Sequence, residues 1–219
     1  MSCNTLHQAM EAVTQLSPDD FFVYKLLPVT DSSTCDRDIV RSGDACTPPK
    51  IYAHIAQDLD GIKISFFVDK TAHTQEIFDK HIKSTSMQRA DYLWLSDCFE
   101  CFIANKESVE YIEINFAPDG RYNIYRFDSY RTPDQMPPIS DTGHTISMRQ
   151  ITALDDGYVL AFHIHHHSQA LRLSQYQFNL TAILYSTIHS TPLAIYYAVK
   201  HASPPDFHNR TYWLQTHPS

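Results

Sequence analysis

From Ile51 to Lys200 apolar and polar residues alternate in short runs separated by turn formers. This period of two restricts the fold more than anything else in the chain, because only a strand sends successive side chains to opposite faces. Ile51–Ala56 and Ile62–Val68 read as strands joined by the turn Asp58-Leu-Asp-Gly61. Val109–Phe116 places Ile112, Ile114 and Phe116 on one face and Tyr111, Glu113 and Asn115 on the other. Pro118-Asp-Gly120 follows as a turn, with Pro presetting φ and Gly accepting a positive φ, so residues 109–128 form a hairpin. Trp94–Ile103, Met148–Ala153, Tyr158–His165, Phe178–His189 and Leu193–Lys200 are further strands. Helical periodicity is confined to two short stretches, Leu6–Leu16 and Thr74–Lys83. About ten short strands with turns between them and no internal repeat predict an all-β antiparallel sandwich or barrel. No shift in composition marks a boundary, so residues 1–219 are expected to form a single domain.

Charge removes several classes of partner. Seventeen Lys and Arg against twenty-five Asp and Glu leave a net charge of −8, and the basic residues are scattered. No basic face for nucleic acid or anionic lipid is expected. No apolar run approaches the ~20 residues of a membrane span. Met1–Leu16 lacks the pattern of a signal peptide, which predicts a cytoplasmic protein. The five glycines are far apart, which excludes glycine-rich phosphate loops, the dinucleotide fingerprint and the G-x-S-x-G nucleophile elbow.

Five cysteines, an odd number, suit a reducing compartment. Cys98 and Cys101 have C-x-x-C spacing, but a strand sends residues three apart to opposite faces. Unbridged thiols are expected there, not a redox or zinc pair. The sequons at Asn179 and Asn209 are read as accidental.

The run His163-Ile-His-His-His167 is the most conspicuous cluster. On a strand His163 and His165 share a face, the spacing used by H-x-H metal sites. The residues after it, Ser168, Gln169 and Ala170, supply no carboxylate as a third ligand. The cluster is therefore read as a polar strand end, with His163 and His165 as the candidates if a metal binds and an enzyme built on His163–His167 as one rival function.

A quieter group carries a more specific chemistry. Trp94, Glu100, Glu113, Asn115, Arg126 and Arg131 fall in three consecutive strands and their ends. With Tyr125 and Phe127 packed inward, Arg126 lies on the side of Glu113. An arginine between carboxylates, beside Tyr and Trp, offers planar donors and acceptors for paired hydroxyls and an aromatic face for a sugar ring. The same residue types also build structural ion-pair networks, so both readings stand at this point.

These residues carry a resemblance. Leu93-Trp-Leu-Ser-Asp-Cys-Phe-Glu-Cys-Phe, Tyr111-Ile-Glu-Ile-Asn-Phe-Ala-Pro-Asp-Gly, Tyr125-Arg-Phe-Asp-Ser-Tyr-Arg131 and Tyr196-Tyr-Ala-Val-Lys-His-Ala-Ser-Pro-Pro-Asp-Phe-His208 resemble, in this order, the motifs of bacterial DOMON-like proteins related to family-nine carbohydrate-binding modules. The match spans residues 93–208. It implies a jelly-roll β-sandwich with one curved sheet as ligand surface. Carried over by position, Trp94 stacks on a sugar, Glu100 accepts from hydroxyls and Arg126 donates. Glu113, Asn115 and Arg131 flank them, and Tyr197 and His201 approach from the C-terminal segment. Tyr197 stands where that family usually has a tryptophan. The resemblance thus implies a non-catalytic domain that binds a small polar ligand, a saccharide, without a cofactor. The rival it also implies is haem held between the sheets, with Met87, Met136, Met148 and the histidines as axial ligands. Trp94 in the core, or Arg126 turned away from both glutamates, would break the carry-over.

Overall fold

The computed structural model describes residues 21–30, 47–57, 61–167, 172–186 and 192–215. The Leu6–Leu16 stretch, Cys3, Cys35, Cys46, residues 58–60, 168–170 and 187–189 and the side chain of Met148 lie outside the described residues. Alternation becomes strands β1 (Phe21–Thr30), β2 (Ile51–Gln57), β3 (Ile62–Asp69), β4 (Gln88–Arg89), β5 (Cys98–Asn105) and β6 (Tyr111–Phe116). They continue as β7 (Arg121–Phe127), β8 (His144–Ala153), β9 (Gly157–His166), β10 (Tyr176–Ser186), β11 (Leu193–Ala198) and β12 (Leu214–Gln215). Hydrogen-bonded neighbours run β4-β7-β6-β5-β10-β11-β1-β2-β3-β9-β8, with β12 beside β10. All pairs are antiparallel except β4 with β7.

Strand β1 turns this one sheet into two layers. Phe21–Leu26 pair with β2, and Leu27–Thr30 pair with β11. Pro28 lies just past the change, where β1 is paired on one side only and a missing N–H is tolerated. The two layers close face to face, as the alternation predicts for a sandwich. Phe66 of β3 meets Phe99 of β5 with ring centroids 5.1 Å apart, and Phe116 of β6 stacks on Phe162 of β9 at 4.9 Å. Helix α1 (Ala72–Phe78) plugs one end of this core. Thr71 and Thr74 cap it reciprocally, each hydroxyl accepting from the other's backbone N–H. The helix sets Phe78 against Phe99 and Tyr158. At the β6–β7 turn Gly120 has φ 94°, and a Cβ there would lie 2.0 Å from the Ser86 carbonyl oxygen. The turn needs glycine.

One strand is shorter than its sequence suggests. Trp94–Ile103 reads as extended, but β5 begins at Cys98, and Leu93–Leu95 form a 3₁₀ turn entered through Tyr92 at φ 60°. The Ser96 hydroxyl donates to the Leu93 carbonyl (3.0 Å), and the Asp97 carboxylate accepts from the Tyr185 N–H (2.9 Å). Such local side-chain bonds compete with a ladder and win here.

Within β5, Cys101 faces the core between the layers and Cys98 the opposite side; both are buried and free. Burial pushes both thiols well above their ordinary value, which suppresses the reactive thiolate. Mass spectrometry of peptides from unreduced protein is expected to find Cys98 and Cys101 unlinked and alkylated only after unfolding. A Cys98–Cys101 bridge would mean that β5 is not extended here. Asn179 is likewise buried, with its amide donating to the Phe207 carbonyl (3.1 Å), and Asn209 caps a 3₁₀ turn.

Candidate functional site

The outward face of β7-β6-β5-β10-β11 is covered, not wet. Pairing sets Glu100 opposite Asn115 on one side and Thr181 on the other, Phe102 opposite Glu113, and Glu113 opposite Tyr125. Phe102, Tyr111, Tyr125, Phe127 and Trp213 form a second apolar cluster on this face. Segments 131–138, after β7, and 204–208, after β11, line a cavity of about 320 Å³ above it together with the sheet. The Trp213 indole N–H donates to the Phe207 carbonyl (2.8 Å) and fastens the C-terminal segment to the sheet.

Trp94 stands at the wall of this cavity, half-buried. Its 3₁₀ turn is held by Tyr185, whose hydroxyl donates to the Trp94 carbonyl (3.1 Å), and its ring meets Tyr125 edge-on at 5.8 Å. Tyr125 is anchored in turn by donating to Asp91 (2.8 Å). Tyr92 and Arg131 are the non-glycine residues with positive φ among the described residues; Arg131 lines the cavity, and the Tyr92 ring meets Trp94 edge-on at 5.4 Å. Uncommon backbone gathers where side chains must be aimed.

Two buried carboxyls form the floor, Glu100 at 2% and Glu113 at 4% exposure. Glu113 Oε1 accepts from the Asn115 amide (2.7 Å), and Glu100 Oε2 accepts from the Thr181 hydroxyl (3.1 Å). Burial raises both pKa values. Glu113 is pushed up to about 7, and Glu100 well above the carboxylate range by burial and then by the nearby Glu113 charge. His208 approaches Glu113 at 3.5 Å, but burial, with Arg131 adding to it, lowers the imidazole to about 3. A neutral ring makes this a long polar contact and not an ion pair. The Arg131 backbone N–H donates to the Tyr111 hydroxyl (3.2 Å), which also shares a hydrogen bond with His208 Nδ1 (2.7 Å). The Arg131 guanidinium donates to Asp206 (2.9 Å), which also accepts from the Tyr130 hydroxyl (2.7 Å). Burial acts to raise the Asp206 carboxyl, but these two bonds and the Arg131 charge outweigh it and hold the group low.

The expected residues divide cleanly. Trp94, Glu100, Glu113 and Arg131 line the cavity, and Asn115 supports it from beneath through Glu113. Arg126 does not belong to it. It pairs with Ile112, so it shares Ile112's side of the sheet, and it is exposed beside Asp128 and Asp141. Tyr125 and Phe127 take the cavity side, the reverse of the sequence reading, because the outer cluster is apolar too. The carry-over of Trp94, Glu100 and Arg126 as a set is thereby overturned. Tyr197 is also corrected: it lies opposite Ala182 and is buried between the layers, while Tyr196, one residue earlier, reaches the cavity. His201 is spent on the fold, its Nε2 donating to the Leu27 carbonyl (2.7 Å). Asp206, Phe207 and His208, which the sequence reading left aside, line the cavity. The signal for them was the Pro-Pro-Asp-Phe-His run itself, which ends the last of the matched motifs.

His163 and His165 do share a face, with rings 4.1 Å apart and His165 Nε2 against the Ser147 hydroxyl (2.5 Å). Among the described residues no group of three or more His, Cys, Asp or Glu is placed to hold a metal. Haem does not fit between the layers, because Phe66 on Phe99 and Phe116 on Phe162 fill that space. Of the suggested axial ligands, Met136 is exposed at the cavity and Met87 packs against the edge of the core. No helix among the described residues is long and apolar enough to cross a membrane.

No protein-family model matches this sequence, and no curated protein matches it. A solved structure does share its fold. A Bacteroides uniformis protein provisionally assigned to carbohydrate binding superposes with a TM-score of 0.52 at 11% identity, over 95% of this chain and 89% of that one. A family-nine carbohydrate-binding module from Caldicellulosiruptor kristjanssonii, in complex with cellotriose, matches with a TM-score of 0.44 at 10% identity, over 85% of this chain and 84% of that one.

Proposed function

We propose that the chain is one non-catalytic, DOMON-like domain of jelly-roll type and that the cavity beneath segments 131–138 and 204–208 binds a saccharide. The observation that carries this reading is the meeting of an accessible indole, Trp94, with buried carboxyl oxygens and the Arg131 guanidinium held by Asp206 at the wall of one open cavity. A sugar ring has an apolar face for the indole and paired hydroxyls for the planar polar groups. A cavity of about 320 Å³ suits one sugar ring or the end of a chain. The provisional assignment of the Bacteroides protein to carbohydrate binding agrees with this reading.

A thermal-shift screen over mono- and oligosaccharides tests it, since a ligand of the native state raises the melting temperature by mass action. With a binding sugar in hand, Trp94→Ala is expected to weaken affinity by ~1–3 kcal/mol through lost stacking and burial. Titration calorimetry checks it. Unchanged affinity would remove Trp94 from the site, and a screen without any binding sugar would overturn the function. Release of new reducing ends during incubation would overturn the non-catalytic part.

A further inference from the structure

The charge of the cavity narrows the class of sugar. Glu100, Glu113, Asp134 and Asp206 line it, and the basic residue among the lining groups is Arg131. Arg131 is engaged by Asp206 at 2.9 Å, and His208 is neutral. Glu100 is therefore a buried carboxyl facing the cavity with no basic side chain at ion-pair distance among the described residues, and Glu113 is another whose basic neighbour at that distance is the His208 ring (3.5 Å). Buried acids are normally paired, and one without a partner keeps its proton. Around them stand Trp94, Phe102, Phe127, Tyr196 and Phe207. Aromatic faces beside carboxylates recognise a positive charge.

From this juxtaposition we infer that the cavity selects an amino sugar, a saccharide with a free amine whose ammonium sits against Glu100 and Glu113. This rests on the saccharide reading and deepens it. A neutral sugar fills the same volume and leaves the two carboxyls in their acid form. An ammonium lets a carboxyl ionise, its proton passing to solvent, and makes charge-assisted hydrogen bonds, the stronger kind. The N-acetylated sugar loses the charge and adds bulk near the floor.

The test is titration of the full chain with glucosamine, glucose and N-acetylglucosamine in a buffer near pH 7, where much of the amine is still protonated and Glu113 is no longer held wholly in its acid form. Glucosamine is expected to bind about tenfold or more tighter than glucose, the gain of one hydrogen bond to a charged group. Glu113→Gln keeps size and an acceptor oxygen while removing the charge. It should bring the glucosamine-to-glucose ratio close to one without abolishing glucose binding. The wild-type ratio is decisive even if that variant folds poorly, and Glu100→Gln gives a second reading of it. Equal binding of the three sugars, or preference for a neutral one, overturns this inference and leaves the saccharide reading intact. If no sugar binds, both fall. If butylamine binds as tightly as glucosamine, the cavity is a cation site and the sugar assignment is overturned.

Discussion

Glu113→Gln is expected to gain about 3 kcal/mol of stability on the wild type as pH rises from 4.5 to about 7, in the absence of ligand. In the folded protein Glu113 keeps its proton up to about 7, because burial penalises the anion. In the unfolded chain it releases that proton near 4.5. Between those values the native state binds more protons than the unfolded state, so wild-type stability falls with rising pH, and the loss is complete above about 7. Gln carries no such penalty. Glu100 is shifted in the same direction, so wild-type stability continues to fall at higher pH. The two carboxyls interact and titrate as a pair, and relieving one also eases the other. His208 works in the opposite sense. Its folded value of about 3 lies below its ordinary 6.5, so it contributes stability that is lost as pH falls through that range. In the wild type the two slopes oppose each other from 4.5 to 6.5, and the difference between variant and wild type removes the His208 contribution and leaves that of the coupled carboxyls. Urea denaturation of both proteins at several pH values measures it. A difference that does not change with pH would place Glu113 in water and remove the buried floor.

Phe162→Ala is the second large effect. Phe162 is fully buried, stacked on Phe116 of the opposite layer at 4.9 Å and close to Phe66 at 6.4 Å. Truncation removes apolar burial and leaves a cavity between two sheets that cannot close independently, and such changes cost ~3–5 kcal/mol. The denaturation midpoint should drop at an unchanged m-value. Phe162→Leu should cost much less, since most of the volume is kept. A loss under about 1 kcal/mol for the alanine variant would mean that the two layers do not meet here.

Much of β6 was legible because its two faces differ in polarity. Ile112, Ile114 and Phe116 against Tyr111, Glu113 and Asn115 is a pattern that one register satisfies, and the sheet adopts it. β7 offered no such contrast. Ile124 faces the core between the layers, while Tyr125 and Phe127 face the cavity cluster, so both sides of the strand are apolar. Alternation alone cannot choose between two apolar faces, and a shift of one residue exchanges every side chain. Arg126 faces away from the cavity for that reason, whereas Tyr197 was carried over from the family motif, and on β11 its neighbour Tyr196 offers the same side chain to the cavity.

By itself the sequence determined most of the strands between Ile51 and Lys200 and the residues that share a face within each, because the two-residue repeat is a property of the extended backbone. It also determined that Cys98 and Cys101 part company along β5, and that the hairpin turn closes on Gly120. Only the tertiary structure decided which face became the interior and which the floor of a cavity. Tyr111 meets His208 across 97 positions of chain, and Arg131 meets Asp206 across 75. Those contacts depend on β1 changing partners between layers and on the closing segment folding back over β5 and β6. No local pattern encodes either event, because each is settled by the burial of apolar surface between segments distant in the chain.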